Sequence, residues 1–270
     1  THPEGMSEVS SLVLSACLYG PIVGLAALGA FGTYRGLGFP DLTVDGSFAL
    51  GGCVCATLLM TGVDPVLSTA LGAAAGLGAG LVTGVLYSYL GLGVLSGIIT
   101  SFALYSINLR ILGRPNIGLR GSRTIFDLFS DGASSWLNAG LLALAAGLAL
   151  MLFTGLLRTF GGLSILASGA NKDLVERCGV SSRAFVAAGV SVFNVPAALG
   201  GALMVQQIGF VDVNMGLGMI ISAFGALLIG ELLFTRVSDI RRALPAAVGG
   251  GYVHQLIVAG VLRLGLPTGD

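Results

Sequence analysis

Charge is what this sequence has least of. Asp, Glu, Lys and Arg make up 10% of its 270 residues, against about 25% in a soluble domain, and this excludes a solvated globular enzyme. Lysine occurs once, at Lys172, beside twelve arginines. That lysine stands in Asn171-Lys172-Asp173, without the glycine spacing or following Ser/Thr of a nucleotide cradle, so the chain does not hydrolyse ATP by itself. The basic residues form small groups rather than a stripe and formal net charge is +0; nucleic acid is not an expected partner. His2 and His254 lack further ligands at metal-binding spacing, so no metal and no cofactor is expected in the chain. The four cysteines, Cys17, Cys53, Cys55 and Cys178, match neither a zinc pattern nor a disulfide framework and read as small core residues. The segment ahead of Met6 lacks the basic region and cleavage site of a signal peptide.

Apolar residues and glycine fill the space that charge leaves: 54% of the chain is hydrophobic, 44 residues are glycine and mean hydropathy is +0.93. The apolar runs each reach the roughly 20 residues that a helix needs to cross a bilayer. The expected fold is an all-α polytopic membrane protein, a single domain over 1–270, with about eight spans. These are Ser7 to Tyr34, Asp45 to Thr61, Pro65 to Leu90, Val94 to Leu112, Trp136 to Leu157, Ala184 to Ile208, Met215 to Phe234 and Ala243 to Leu264. Arg158 to Arg183 reads as the longest polar stretch. If that stretch is cytoplasmic, alternation puts eight basic residues inside, among them Arg35, Arg236, Arg241 and Arg242, and five outside. Four of the five outside, Arg110, Arg114, Arg120 and Arg123, cluster before the acidic pair Asp127 and Asp131, and the N-terminus then lies outside.

Two features of the runs carry information beyond hydropathy. Gly72, Gly76, Gly80 and Gly84 recur every fourth residue on one helix face, where missing side chains let a second backbone approach; a packing face is expected, with a solute groove as the alternative. The first two spans are interrupted by Gly36 to Ser47, with Gly38 and Pro40 as breakers and Asp45 or Ser47 as caps. Gly38-Phe39-Pro40-Asp41-Leu42-Thr43 is echoed by Gly209-Phe210-Val211-Asp212-Val213-Asn214, across five intervening spans. An odd number puts the copies in opposite senses, the signature of an inverted repeat whose solute site lies near the midplane at broken helices.

Polar groups inside hydrocarbon are expensive and usually face a cavity or bundle interior. Asp41, Thr43, Asp45, Ser47, Asn108, Asp212, Asn214 and Met215 are therefore candidates for a solute path. For Asp41, Asp45 and Asp212, capping of half-helices is an equal reading, and the two are compatible. Glu231 reads as an interfacial carboxylate near Arg236. The two breaks are expected to meet near the midplane.

Three stretches carry a family resemblance: Phe39-Pro-Asp-Leu-Thr-Val-Asp-Gly-Ser-Phe48; Tyr105-Ser-Ile-Asn-Leu-Arg-Ile-Leu-Gly-Arg-Pro-Asn116; and Gly209-Phe-Val-Asp-Val-Asn-Met-Gly-Leu-Gly-Met219 with Ile229-Gly230-Glu231. They resemble the tryptophan/tyrosine-type permeases of bacterial ABC importers, within the wider branched-chain amino acid and ribose permeases. The resemblance implies a multi-pass permease of the bacterial inner membrane, paired with a second permease subunit and surrounded by lipid. Two cytoplasmic ATPase subunits would bind ATP and Mg, and an extracytoplasmic solute-binding protein would deliver an amino acid, aromatic by the family's labels. It further implies that 158–183 is a cytoplasmic coupling loop, with Ala170, Asn171, Asp173, Glu176, Arg177 and Gly179 in the segment that engages the ATPase. Asp173 and Glu176 early and Arg177 late also suit a short helix dipole. The resemblance also implies one more apolar helix beyond the Leu264 to Asp270 stretch. The alternative from the residues alone is an ion-coupled secondary transporter.

Overall fold

The computed structural model describes residues 3–129, 135–234 and 240–263. Asp131, Arg236 and the stretch 264–270, all used in the sequence reading, lie outside the described residues. Helix dominates: α1 (Pro3–Phe31), a π-helical turn (Gly32–Leu37), α2 (Thr43–Met60), α3 (Pro65–Ser88), α4 (Leu95–Leu112), α5 (Ile125–Phe129), α6 (Ser135–Leu156), α7 (Phe160–Ala170), α8 (Lys172–Arg177), α9 (Ser182–Phe193), α10 (Val195–Ile208), α11 (Met219–Phe234) and α12 (Ile240–Arg263). Two short strands, β1 (Asn116–Gly118) and β2 (Phe210–Asp212), form an antiparallel ribbon with Asn116 opposite Asp212.

Among the described residues, seven stretches are long and apolar enough to cross a membrane: 10–37, 43–60, 65–88, 95–112, 135–156, 182–208 and 243–263. This is an all-α polytopic membrane protein. The span expected from Met215 starts only at Met219, because Asn214 to Gly218 forms turns and Gly218 adopts φ +80°. The helix that results, α11, is shorter than the long spans. The stretch 158–183 is not polar throughout: Phe160–Ala170 is a short apolar helix, started by the Thr159 hydroxyl accepting from the Gly162 N–H at 3.2 Å. Arg158, Lys172 and Arg183 at its borders give the whole stretch a polar average. The span ending at Ile208 is likewise broken, at Asn194, where α9 gives way to α10 and Pro196 removes a backbone donor.

The glycine face of α3 lies against α9, α10 and α2. A Cβ would fall 2.7 Å from the Gly51 carbonyl oxygen at Gly72, 2.7 Å from the Asn194 carbonyl oxygen at Gly76, 2.7 Å from the Ser191 Cα at Gly80 and 2.6 Å from the Ala187 Cα at Gly84. No side chain fits these gaps without displacing backbone. Gly78, on the opposite face, meets nothing within 4 Å. The same contacts set depth: Gly76 and Asn194 stand near the midpoints of α3 and of the α9–α10 stretch, so what bonds to Asn194 lies in the middle of the bundle.

Candidate functional site

The chain enters the middle of the bundle at its first break. The π-helical turn ends at Gly38, whose φ of +80° only glycine adopts without strain, and Phe39-Pro40 carries the backbone to Asp41. One Asp41 oxygen accepts from its own Thr43 N–H at 2.9 Å; the other accepts from Asn194 Nδ2 at 2.7 Å. Asn194 Oδ1 in turn accepts from Ser47 Oγ at 2.7 Å, and the Thr43 and Thr83 hydroxyls lie 2.6 Å apart. Asp41, Thr43, Ser47, Thr83 and Asn194 are all buried. Such a network fixes one arrangement of α2, α3 and the α9–α10 break, since losing any partner strands a polar group away from water. Gly97 lets α4 press onto this turn, since a Cβ there would sit 2.8 Å from the Leu42 nitrogen.

The second break begins alike. Gly209 adopts φ +73°, and Asp212 Oδ1 accepts from Asn214 N–H at 2.7 Å, the same two-residue capping turn that Asp41 makes. Its setting differs: the turn is tied to the ribbon beyond the ends of α4 and α10, where Leu119 N–H donates to the Gly209 carbonyl at 2.8 Å and Val213 N–H to the Pro115 carbonyl at 3.0 Å. From the ribbon the chain returns inward. Met215 packs near Gly52 within the apolar cluster of Cys53, Cys55, Val205 and Val211, and Gly216 fits against the Asp45 carbonyl.

Asp45 is where the two breaks meet. Its carboxylate, carried on α2, accepts from Gly218 N–H at 3.1 Å and Ile220 N–H at 2.6 Å, so it caps the start of α11 from another helix. Beside it lies a cavity of about 50 Å³ bordered by Asp45, Ser101, Tyr105, Asn108 and Asn214. A wider, mostly apolar cavity of about 450 Å³ adjoins it, sharing Asp45, Ser101, Tyr105, Asn214 and Leu217 and adding Leu42, Ile98 and Phe102. Asn108 is 1% exposed, and its Oδ1 is buried with no hydrogen-bond partner.

Of the residues singled out from sequence, Asp45, Asn108 and Asn214 border one cavity, while Asp41, Thr43 and Ser47 form the closed network beside it. Asp212 and Met215 stand apart. The two breaks touch through Asp45, Gly216 and Gly218, not through Asp212, which pairing with Asn116 holds on the ribbon. Sequence reasoning missed Asn194, Thr83, Ser101 and Tyr105. Asn194 carried a usable signal, an amide in an apolar run two residues before a proline; the hydroxyls of Thr83 and Ser101 look like ordinary helix polarity.

On the face with the first helix's end, Arg35 makes a two-pronged ion pair with Glu231, Nε to Oε1 at 2.9 Å and Nη2 to Oε2 at 2.8 Å. Glu231 thus pairs with Arg35 of the first break, while Arg236, the neighbour expected from sequence, lies outside the described residues. Nearby, Gly169 of α7 rests on the Gly36 carbonyl of the π-helical turn. Ala170 ends α7; Asn171 caps α8 by accepting from Leu174 N–H at 3.0 Å, and Gly179 follows at φ +79°. Asp173, Glu176 and Arg177 are exposed, and Lys172 Nζ lies 5.1 Å from the ring centroid of Tyr87, which stacks on Phe39 of the first break at 3.9 Å.

The family described as branched-chain amino acid transport system, permease component, matches residues 12–264. A tyrosine transport system permease protein from Clostridioides difficile is 32% identical over 260 residues, covering 96% of this chain and 85% of that protein. An uncharacterized protein of Rickettsia prowazekii is 35% identical over 207 residues, 77% of this chain and 72% of its own length. No solved structure matches. The breaks, the glycine-packed bundle and a match over nearly its whole length together make this chain a member of the branched-chain amino acid transport permease family, a multi-pass transport subunit rather than a catalytic chain.

Proposed function

We propose that the chain is the membrane subunit of an ATP-driven importer of the bacterial inner membrane and moves a small amino acid, aromatic in kind, delivered by an extracytoplasmic binding protein. The observation that carries this reading is the junction at Asp45: two interrupted chain segments meet at a carboxylate beside a half-open cavity, in a family of amino acid permeases. The relative named for tyrosine transport supports an aromatic amino acid. The cavity opens beside exposed Phe102 and Leu217, so a second permease subunit facing this surface would close the path.

Drive comes from outside the chain. Two ATPase subunits holding ATP and Mg engage the surface around Ala170 to Gly179. The contacts from α7 to Gly36, and from Lys172 through Tyr87 to Phe39, give their motion a physical route to the first break. Closure of the ATPases must favour one permease form by several kcal/mol to shift the population decisively, about 5.5 kcal/mol for a full reversal. The test is purification of the chain with its ATPase and reconstitution in vesicles with the binding protein. ATP-dependent tyrosine uptake is expected, and Glu176→Ala with Arg177→Ala together should lower uptake and ATP hydrolysis while the permease still folds. Cation-driven uptake by the chain alone would overturn the reading in favour of a secondary transporter.

A further inference from the structure

The small cavity at Asp45 gathers acceptors around one carboxylate. An ionised carboxylate offers about four lone-pair sites, and two on Asp45 are taken by Gly218 and Ile220 N–H. Ser101 donates its proton to the Leu42 carbonyl at 2.7 Å, so toward the cavity its oxygen can only accept. Asn108 Oδ1, on a residue 1% exposed, accepts from nothing. A buried acceptor left unpaired costs about 1–3 kcal/mol, so the site is arranged for a donor that the chain does not supply. Among the described residues no cation pairs with Asp45; Arg35 is bonded to Glu231.

The backbone amide donors that would suit a carboxylate ligand are spent. The free N–H groups at the start of α11 are an anion site only when unoccupied, and here Asp45 itself occupies those of Gly218 and Ile220. An entering anion would face the Asp45 carboxylate beside two further acceptors, Ser101 Oγ and Asn108 Oδ1. A primary ammonium would instead find charge and acceptors together, in a space of about 50 Å³ that excludes a ring. The ring has room next door, in the cavity of about 450 Å³ among Leu42, Ile98, Phe102 and Leu217.

We infer that Asp45, Ser101 and Asn108 form an ammonium site, and that this permease recognises its solute by a protonated amine carried on an apolar body, leaving any carboxylate uncontacted by this chain. The inference rests on the transport reading but goes beyond it. It names the recognised group and makes the acid group dispensable for binding here.

The test uses the purified permease–ATPase complex in lipid nanodiscs and equilibrium dialysis with two labelled probes of one shape, phenethylamine and 3-phenylpropionate. The amine should bind at least about tenfold more tightly, the worth of one charge-assisted hydrogen bond. Asn108→Leu should remove about tenfold of the amine's affinity and none of the acid's, while Asn108→Asp, which keeps an acceptor, should retain it. The probe comparison on unmodified protein needs no variant to fold. Equal binding, tighter binding of the acid, or an amine affinity indifferent to Asn108→Leu would overturn the site and leave Asn108 to a single water. Failure of the transport reading looks different: amine binding would persist while ATP-dependent uptake was absent.

Discussion

The two chain breaks share a local design and differ in everything around it. At both, a glycine with positive φ is followed three residues later by an aspartate that accepts from the N–H two residues on. At the first break the aspartate's remaining oxygen is bonded to Asn194 in the centre of the bundle; at the second it sits on a two-stranded ribbon past the helix ends. A short motif therefore specifies the turn and leaves its depth to long-range partners. What brings the breaks together is a residue outside the shared motif, Asp45, which reaches across to cap α11.

The sharpest way to separate them is to remove the partner that only the first possesses. Asn194→Leu strands the outer oxygen of Asp41 and takes the acceptor from Ser47, and should cost about 3 kcal/mol, since each buried group left unpaired costs about 1–3 kcal/mol. The thermal unfolding midpoint in lipid reports it, and an unchanged midpoint would mean that the first break is as solvated as the second.

A smaller effect comes from the face behind Asn194. Gly76→Leu pushes a side chain into the Asn194 carbonyl and should destabilise by about 1–3 kcal/mol, whereas Gly78→Leu on the same helix enters open space and should leave stability within about 0.5 kcal/mol. Equal midpoints for the two leucine variants would show that the glycine face is not packed.

Much of the fold is legible in hydropathy and glycine spacing because helices in lipid satisfy their own backbone groups, so span positions depend on local sequence. The start of α11 was misread because the apolar character of Met215 to Met219 hides two glycines folded against Asp45. Helix α7 was hidden by the charges at its ends. The site was legible in pieces: Asp45, Asn108 and Asn214 stand out as polar groups in apolar surroundings. Their convergence does not, since it depends on α4 crossing α2 and on a chain segment returning more than a hundred residues later. Asp212 drew attention through the echo with Asp41, yet its ribbon partner Asn116 lies in a loop whose pairing no periodicity announces.

The most direct measurement is ATP-driven tyrosine uptake by vesicles carrying Asp45→Asn or Asp212→Asn, normalised to the amount of permease assembled with its ATPase. Asparagine keeps one acceptor for capping and removes the charge at both positions. Uptake should fall at least about tenfold for Asp45→Asn, the loss of about 1.4 kcal/mol, and stay near the unmodified rate for Asp212→Asn. Equal losses at the two aspartates, or a loss confined to Asp212, would contradict the placing of the solute site where the breaks meet.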